Sequence, residues 1–320
     1  MKTEKIFTLT AHALKKALAV ELLEYGYIKG EIHNKNKFLY AEGNVPYMLV
    51  AHLDTVHKQV PSIICYSQDG NYIMSPQGIG GDDRCGVYII LSLLKKLPFK
   101  PHVVFTMEEE TGGHGASAFV GYLDSKQKCP ELKYIVEFDR KGDKDCVFYH
   151  CGNTDFVKFV EGFGFKKAYG TFSDISIIAP SLGIAAVNLS SGYYNPHTEH
   201  EYVSMNDMHD IIDAAQKMLC AESKTFEYIE EEYYNYYNSK KQKISVSFVP
   251  EGMVYVCSYY TNSLYVNRHK EIAIDQLGNY YKYSSTYNDL MPLYADVVPI
   301  DDLYEPTYDE ANACLVLKYF

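Results

Sequence analysis

Four short, mostly apolar runs in the first two hundred residues alternate with longer segments of helical periodicity. The runs cover 46–50, 102–105, 133–136 and 185–188, and the helical patterns cover about 84–97, 115–123 and 206–222. Because the runs are apolar at consecutive positions, they are typical of strands that are buried on both faces. The pattern predicts an α/β fold, with a mixed, mostly parallel central sheet flanked by helices on both faces.

The pattern changes at the tract 227–238, which reads EYIEEEYYNYYN. Beyond residue 241 the chain shows short alternating segments separated by turn signals, and the predicted strands are 244–249, 253–259, 263–266 and 314–319. More than half of the 31 tyrosines lie after residue 220. We therefore predict an α/β domain over 1–238 and a small, tyrosine-rich β appendage over 239–320.

Composition narrows the class of protein. The formal net charge is −11, with 30 basic against 41 acidic side chains, which argues against a binder of nucleic-acid phosphates. No segment approaches the roughly 18–20 consecutive apolar residues that a membrane-spanning helix needs. The N-terminal segment lacks the features of a signal peptide, so the expected location is the cytoplasm. The 8 cysteines are scattered, and we expect them to be reduced thiols.

Segments rich in histidine and carboxylates follow the predicted strands or open the predicted helices. Five of them stand out, namely 51–56, 78–86, 106–112, 137–139 and 195–203. Ligands bind open α/β sheets at the carboxyl ends of their strands. Each segment alone has an ordinary explanation, such as a solvated histidine, a helix cap or an acidic turn. Together they would repel one another unless cations neutralised them, and imidazole with carboxylate suits Zn²⁺ or a similar ion.

These segments resemble the motifs of the co-catalytic zinc exopeptidases, the superfamily of leucyl-type aminopeptidases and tripeptidase-like enzymes. The shared motifs are His-x-Asp, an Asp-Asp pair leading into a helix, Glu-Glu-x-Gly, a later Asp, and a final His followed by Thr-x-x-Glu. They occur in the family's order and cover about residues 45–215. The resemblance implies two divalent metal ions, expected to be zinc, with the ligands His52, Asp82, Glu110, Asp139 and His197.

The resemblance also implies how these ligands divide. Asp82 would bridge both metals, His52 and Asp139 would complete one site, and Glu110 and His197 would complete the other. Two such ions lower the pKa of a water molecule between them and stabilise the tetrahedral intermediate.

The resemblance further implies that Glu109 is the general base and that Asp54, the last residue of the His-x-Asp motif, orients His52. Three consecutive glutamates allow a shift of frame, but the Glu-Glu-x-Gly pattern selects Glu109 and Glu110. His200 competes with His197 as the final ligand, and the Asn-Pro-His-Thr-x-x-Glu context favours His197.

Five more residues have smaller expected roles. Asp83 follows the bridging ligand at a position where the family often has a strained peptide bond, and Glu201 would support the site from outside. Ser173 and Asp174 lie in a segment similar to a loop that borders the substrate, although an ordinary turn explains them equally well. Arg140, next to Asp139, could hold a substrate carboxylate.

The spacing of the ligands differs from that of relatives that carry an inserted lid. Only 57 residues separate Asp139 from His197, and only 29 separate His52 from Asp82. Both intervals are too short for the lid or dimerisation domains that branches of the family insert there. We expect a compact catalytic domain without a lid at either point.

The predicted function is a metal-dependent aminopeptidase that hydrolyses short peptides. Carboxypeptidases usually hold the terminal carboxylate of the substrate with Arg or Lys, and this chain has three arginines, at 84, 140 and 268. A carboxypeptidase and an amidohydrolase acting on N-acyl amino acids stay open, because the same metal site would serve them. A non-catalytic scaffold on a peptidase fold is the alternative of another class.

The expected partner is a short peptide substrate. We expect the protein to bind neither nucleic acid nor a membrane. A homo-oligomer is compatible with the sequence. The C-terminal appendage is either a packing or oligomerisation module or a tyrosine-lined surface that covers the cleft.

Overall fold

The computed structural model describes residues 1–127 and 129–230, and beyond them the backbone of five strands. The helices of the described part are α1 (Thr3–Thr8), α2 (Ala11–Glu24), α3 (Gly81–Lys96), α4 (His114–Lys126), α5 (Thr154–Glu161), α6 (Ile175–Leu182) and α7 (Met205–Cys220). Its strands up to residue 230 are β1 (Ile32–Asn34), β2 (Phe38–Ala41), β3 (Tyr47–His52), β4 (Cys65–Tyr66), β5 (Tyr72–Met74), β6 (His102–Thr106), β7 (Tyr134–Arg140), β8 (Asp145–Val147), β9 (Lys166–Lys167), β10 (Ala186–Ser190), β11 (Tyr193–Tyr194) and β12 (Tyr202–Ser204).

The large sheet has eight strands in the order β1-β2-β6-β3-β7-β10-β8-β9. Its four central strands, β6, β3, β7 and β10, run parallel to one another. On one side β1 and β2 pair antiparallel, and on the other side β8 pairs antiparallel with β10 and parallel with β9. The predicted mixed, mostly parallel sheet is confirmed, and the four apolar runs of the sequence are its four central strands.

Helices cover both faces of this sheet, as predicted, and strand β3 shows why. Its side chains alternate between two cores, with Leu49 and Ala51 in one and Met48 and Val50 in the other. The first core is closed by residues of α1, α2, α3, α5 and α7, and the second by residues of α4 and α6. All six positions of β3 are buried, which explains why the sequence is apolar without alternation.

A second, smaller sheet was not predicted. It consists of β11, β12, β5 and β4 in that order, and all its pairs are antiparallel. Its strands are two or three residues long, too short for an alternating pattern to be recognised. The loop 195–201 between β11 and β12 carries the predicted ligand His197.

The C-terminal strands form a sheet of their own. They are β13 (Val254–Tyr259), β14 (Asn262–Val266), β15 (Ile272–Asp275), β16 (Tyr280–Ser284) and β17 (Asp289–Pro292), paired antiparallel in chain order. This confirms the predicted β-rich appendage. The predicted strands 244–249 and 314–319 lie outside the described residues.

The chain divides into two compact units, Met1–Glu232 and Tyr233–Phe320. The predicted boundary at 238/239 also lies outside the described residues and stays a prediction. Among the helices that the structure describes, none is both long enough and apolar enough to cross a bilayer.

Candidate metal centre

The predicted ligands converge at the carboxyl end of the central strands. His52 is the last residue of β3, Glu110 lies in the turn after β6, and Asp139 lies near the end of β7. Asp82 is in the first turn of α3, and His197 is in the loop between β11 and β12. These segments are far apart in sequence, and the parallel arrangement of the strands brings them to one edge of the sheet.

One group of potential ligands is formed by His52, Asp82 and Asp139. The Nε2 atom of His52 lies 3.1 Å from Oδ1 of Asp82 and 3.4 Å from Oδ1 of Asp139. His52 is buried. Burial alone would lower the pKa of His52, but the charge of Asp139 raises it well above its usual value.

A second group is formed by Asp82, Glu110 and His197. The Nε2 atom of His197 lies 3.2 Å from Oδ2 of Asp82 and 3.3 Å from Oε2 of Glu110. Hydrogen bonds to Asp82 and Glu110 raise the pKa of His197 to about 10. Asp82 therefore belongs to both groups and directs one carboxylate oxygen to each.

Of the two histidines that competed at the sequence level, His197 is the one whose ring reaches the carboxylates. It has a positive φ of 63°, a conformation that non-glycine residues adopt rarely. His200 contributes its backbone to the loop, where its N–H donates to Oγ1 of Thr198 at 3.2 Å.

Glu109 lies beside the first group. Its Oε2 is 3.9 Å from Nε2 of His52, and it also forms a potential ligand group with His52 and Glu110. Burial, added to the charges of Asp139 and Asp174, raises the pKa of Glu109 to about 8, although the charge of His52 opposes this. A carboxyl group with such a pKa can accept and release a proton near neutral pH.

Asp54 fixes the glutamate turn. Its Oδ1 accepts a hydrogen bond from the N–H of Glu109 at 3.3 Å, and its Oδ2 accepts one from the N–H of Glu110 at 3.2 Å. The same residue faces Nδ1 of His52, with its carbonyl oxygen at 3.1 Å and Oδ1 at 3.5 Å. Asp54 thus links the histidine at the end of β3 to the two glutamates after β6.

Asp82 and Asp83 lie in the first turn of α3, and the peptide bond between them is cis. This is the position at which the family resemblance implied an unusual peptide. The buried carboxylate of Asp83 accepts hydrogen bonds from the N–H of His52 at 3.2 Å and of Gly86 at 2.9 Å. Burial raises the pKa of Asp83 well above its usual value. Asp83 therefore connects β3 to α3 beneath the ligand groups.

Glu201 supports Asp82 from the other side. Its Oε1 accepts a hydrogen bond from the N–H of Asp82 at 3.0 Å, and its Oε2 accepts one from the N–H of Gly80 at 2.9 Å. His57, which the sequence analysis did not single out, lies with Nε2 3.0 Å from Oε2 of Glu201. His57 has no motif signature, because its contact depends on the small sheet that brings residue 201 near residue 57.

Ser173 and Asp174 are fully buried beneath the site. The Oγ of Ser173 lies 2.9 Å from Oδ2 of Asp139 and 2.5 Å from Oε2 of Glu137. Asp174 accepts a hydrogen bond from the hydroxyl of Thr106, the last residue of β6. Both residues therefore direct their polar groups toward the cluster and its supporting residues.

Arg140 pairs with an acidic residue that belongs to neither ligand group. Its Nε lies 3.4 Å from Oδ2 of Asp145, with which it forms an ion pair. Arg84 is buried, and its Nη1 donates to the carbonyls of Ile6 at 2.6 Å and Leu9 at 3.0 Å. Arg84 therefore holds the N-terminal helices against α3.

The donor set fits divalent cations. Carboxylate and imidazole are the ligand types that zinc and related ions take. Oε1 of Glu110 is buried and has no hydrogen-bond partner, which leaves an acceptor free for an ion. Burial and the nearby charge of Asp82 raise the pKa of Asp139 to about 7, so the acidic groups repel one another in the absence of a cation.

The fold and this cluster together define the class of protein: an α/β protein with a histidine–carboxylate cluster at the carboxyl ends of its parallel strands. The sequence matches no family model and no curated protein sequence. Among solved structures, the chain resembles the aminopeptidase PepT of Bacillus cereus, with 14% identity, a TM-score of 0.52, and coverage of 68% of this chain and 95% of PepT. It also resembles a tripeptidase of Staphylococcus aureus, with 13% identity, a TM-score of 0.51, and coverage of 67% and 95%.

The resemblance that the motifs predicted is therefore confirmed at the level of the fold. The chain shares the fold of these peptidases.

Proposed function

We propose that this protein is a metal-dependent aminopeptidase that hydrolyses short peptides at a site for two divalent ions, expected to be zinc. The observation that carries the proposal is the position of Asp82. It lies between His52 and His197 and belongs to both ligand groups. A carboxylate shared between two such groups could serve two neighbouring metal ions at once.

His52, Asp82 and Asp139 would hold one ion, and Asp82, Glu110 and His197 would hold the other. When bound, two such ions polarise the substrate carbonyl and lower the pKa of a water molecule. The cluster draws on five chain segments. Asp54, Asp83 and Glu201 fix the backbone of three of them by hydrogen bonds, at the two glutamates, at His52 and at Asp82.

Glu109 would act as the general base. It accepts a proton from the attacking water and donates it to the amine that leaves. The hydrogen bond from its N–H to Asp54 holds it in place.

The charges around the cluster favour an aminopeptidase. Within the described residues, no lysine or arginine forms an ion pair with Asp82, Glu109, Glu110 or Asp139. Arg140 is paired with Asp145. The cluster therefore offers no paired basic side chain that would hold the α-carboxylate of a peptide, as carboxypeptidases usually do.

The test compares three kinds of peptide, with both termini free, with an acetylated N-terminus and with an amidated C-terminus. The protein is first stripped of metal by a chelator, and this metal-free form is called the chelated protein. Each peptide is then assayed after zinc, manganese or cobalt is added back. We expect hydrolysis of the free and the C-amidated peptides, metal dependence, and loss of the activity in Glu109→Gln. The matched control is Glu108→Gln, because Glu108 is the neighbouring glutamate and pairs at the surface with Lys37.

Cleavage of acetylated peptides alone would contradict the aminopeptidase assignment. Binding of less than one metal ion per chain, with no hydrolysis of any peptide, would favour the scaffold alternative.

A further inference from the structure

An exposed aromatic ring lies over the turn that carries the proposed general base, Glu109. The side chain of Phe172 is 42% exposed, whereas the two residues that follow it, Ser173 and Asp174, are fully buried. Single exposed apolar residues are common on protein surfaces. Exposure alone therefore decides nothing here, and the position of the ring is what carries the inference.

On one side, the ring packs against the turn that presents the glutamates. A Cβ atom built on Gly113 would lie 2.7 Å from Cζ of Phe172, so the edge of the ring lies directly over the backbone of Gly113. The N–H of Gly113 donates to the carbonyl of Glu109 at 3.1 Å. Gly113 has a φ of 65° and no side chain, and both features allow this close approach.

On the other side, the backbone next to the ring is anchored to the ligand Asp139. The Oγ of Ser173 lies 2.9 Å from Oδ2 of Asp139. Asp174 is bound by Thr106 at the end of β6. Residues 172–174 therefore lie along the carboxyl edge of the sheet between the ends of β6 and β7, and Phe172 is their exposed member.

Phe172 also differs chemically from its surroundings. The proposed ligands and Glu109 present charged groups, which recognise the metal ions, the scissile carbonyl and the ammonium group. None of these groups attracts an apolar side chain. An exposed ring packed on Gly113 offers such a side chain a surface on which to exclude water.

We propose that Phe172 is the apolar wall of the subsite for the substrate side chain next to the scissile bond, and that it sets a preference for bulky apolar residues there. This inference rests on the proposed peptidase function. The ring touches the substrate in this proposal and takes no part in proton transfer.

The test measures kcat/KM for two series of free dipeptides, with Leu or Gly at the first position and with Leu or Gly at the second. The Leu/Gly ratio is the kcat/KM for the Leu peptide divided by that for the Gly peptide. In one of the two series we expect this ratio to be about tenfold lower in Phe172→Ala than in the wild type, within the range known for apolar subsites. The conservative variant Phe172→Leu should retain most of the preference.

The control is Ile229→Ala. Ile229 is also apolar and exposed, at 51%. The N–H of the preceding residue, Tyr228, donates to the carbonyl of Gly183 at 2.9 Å, just before the amino end of the parallel strand β10. Removal of the Ile229 side chain should leave both ratios unchanged.

Two failures can be told apart. If the wild type hydrolyses peptides but the Leu/Gly ratio of Phe172→Ala equals that of the wild type in both series, the role of Phe172 is wrong and the proposed function stands. An equal loss of the ratio in Ile229→Ala would also overturn it. If the metal-loaded wild type hydrolyses no dipeptide, the proposed function and this inference fail together.

Discussion

The side chain of Asn188 brackets the backbone of Asp139. Its Oδ1 accepts a hydrogen bond from the N–H of Asp139 at 2.8 Å, and its Nδ2 donates to the carbonyl of the same residue at 3.1 Å. Asn188 is buried in β10, which runs parallel to β7. One amide side chain thereby fixes the main chain that carries a proposed metal ligand.

We expect Asn188→Ala to weaken the binding of one of two metal ions by about 10–100-fold, the usual effect of removing a residue that orients a ligand. The site with Asp139 should be affected, while the site with Glu110 and His197 should be nearly unchanged. Isothermal titration calorimetry with zinc on the chelated protein measures both.

The control for that variant is Asn153→Ala. Asn153 is also buried and also bonds to backbone, since it caps α5 and donates to the carbonyl of Glu227 at 2.9 Å. It should lower the free energy of unfolding without changing either metal affinity. Equal losses of metal affinity in both variants would show that Asn188 acts only through stability.

The chelated protein should become less stable as the pH rises from about 4 to 8. Burial raises the pKa of Asp174 to about 6, of Asp139 to about 7 and of Glu109 to about 8, against about 4 in an unfolded chain. In this window the folded state therefore holds more protons than the unfolded state, and stability falls with rising pH. His197, with its raised pKa, extends the fall above pH 6.5.

Added zinc should reverse this trend, because metal binds the deprotonated ligands and its stabilisation grows with pH. Thermal unfolding at pH 5, 6, 7 and 8, with chelator and with zinc, measures both slopes. Asp174→Asn should flatten the slope of the chelated protein, and the exposed Asp155→Asn should not. A chelated wild type whose Tm rises over this range would contradict the prediction.

Gly86 should tolerate no side chain. A Cβ atom there would lie 2.1 Å from the carbonyl oxygen of Phe138, so α3 packs on β7 through this glycine. We expect Gly86→Ala to lower the free energy of unfolding by about 1–3 kcal/mol or more. It should also weaken metal binding, because it forces apart the elements that carry Asp82 and Asp139. Chemical denaturation and zinc titration test the two effects.

The matched substitution is Gly121→Ala in α4, where a Cβ atom would meet nothing within 4 Å. Since alanine is the better helix former, this variant should gain up to about 1 kcal/mol. Equal effects at the two positions would rule out the packing explanation.

The sequence predicted the sheet and the meeting of the ligands because both depend on local patterns. His52 and Asp139 follow apolar runs that predict strands. Because parallel strands place their ligands at one edge of the sheet, the two residues are predicted to lie close together. The sequence pattern identifies Asn188 only as the end of a predicted strand. Its contact with Asp139 depends on how β10 pairs with β7, which local sequence does not specify. A polar residue in an otherwise apolar strand is the one signal that could have identified it.

The small sheet shows the complementary limit. Strands of two or three residues carry no usable periodicity, so β4 and β5 could not be recognised. The contact between His57 and Glu201 is formed by segments 144 residues apart, and neither residue type alone indicates it.

Strand β3 has one more consequence, for the way the molecule opens. It is hydrogen-bonded to β6 on one side and to β7 on the other, and its side chains belong to both cores. A partial opening that leaves either of these two cores folded does not release β3. Its amide hydrogens should therefore exchange with solvent only when the whole domain unfolds. Since His52 ends this strand, its position should persist through every smaller fluctuation of the loops around it.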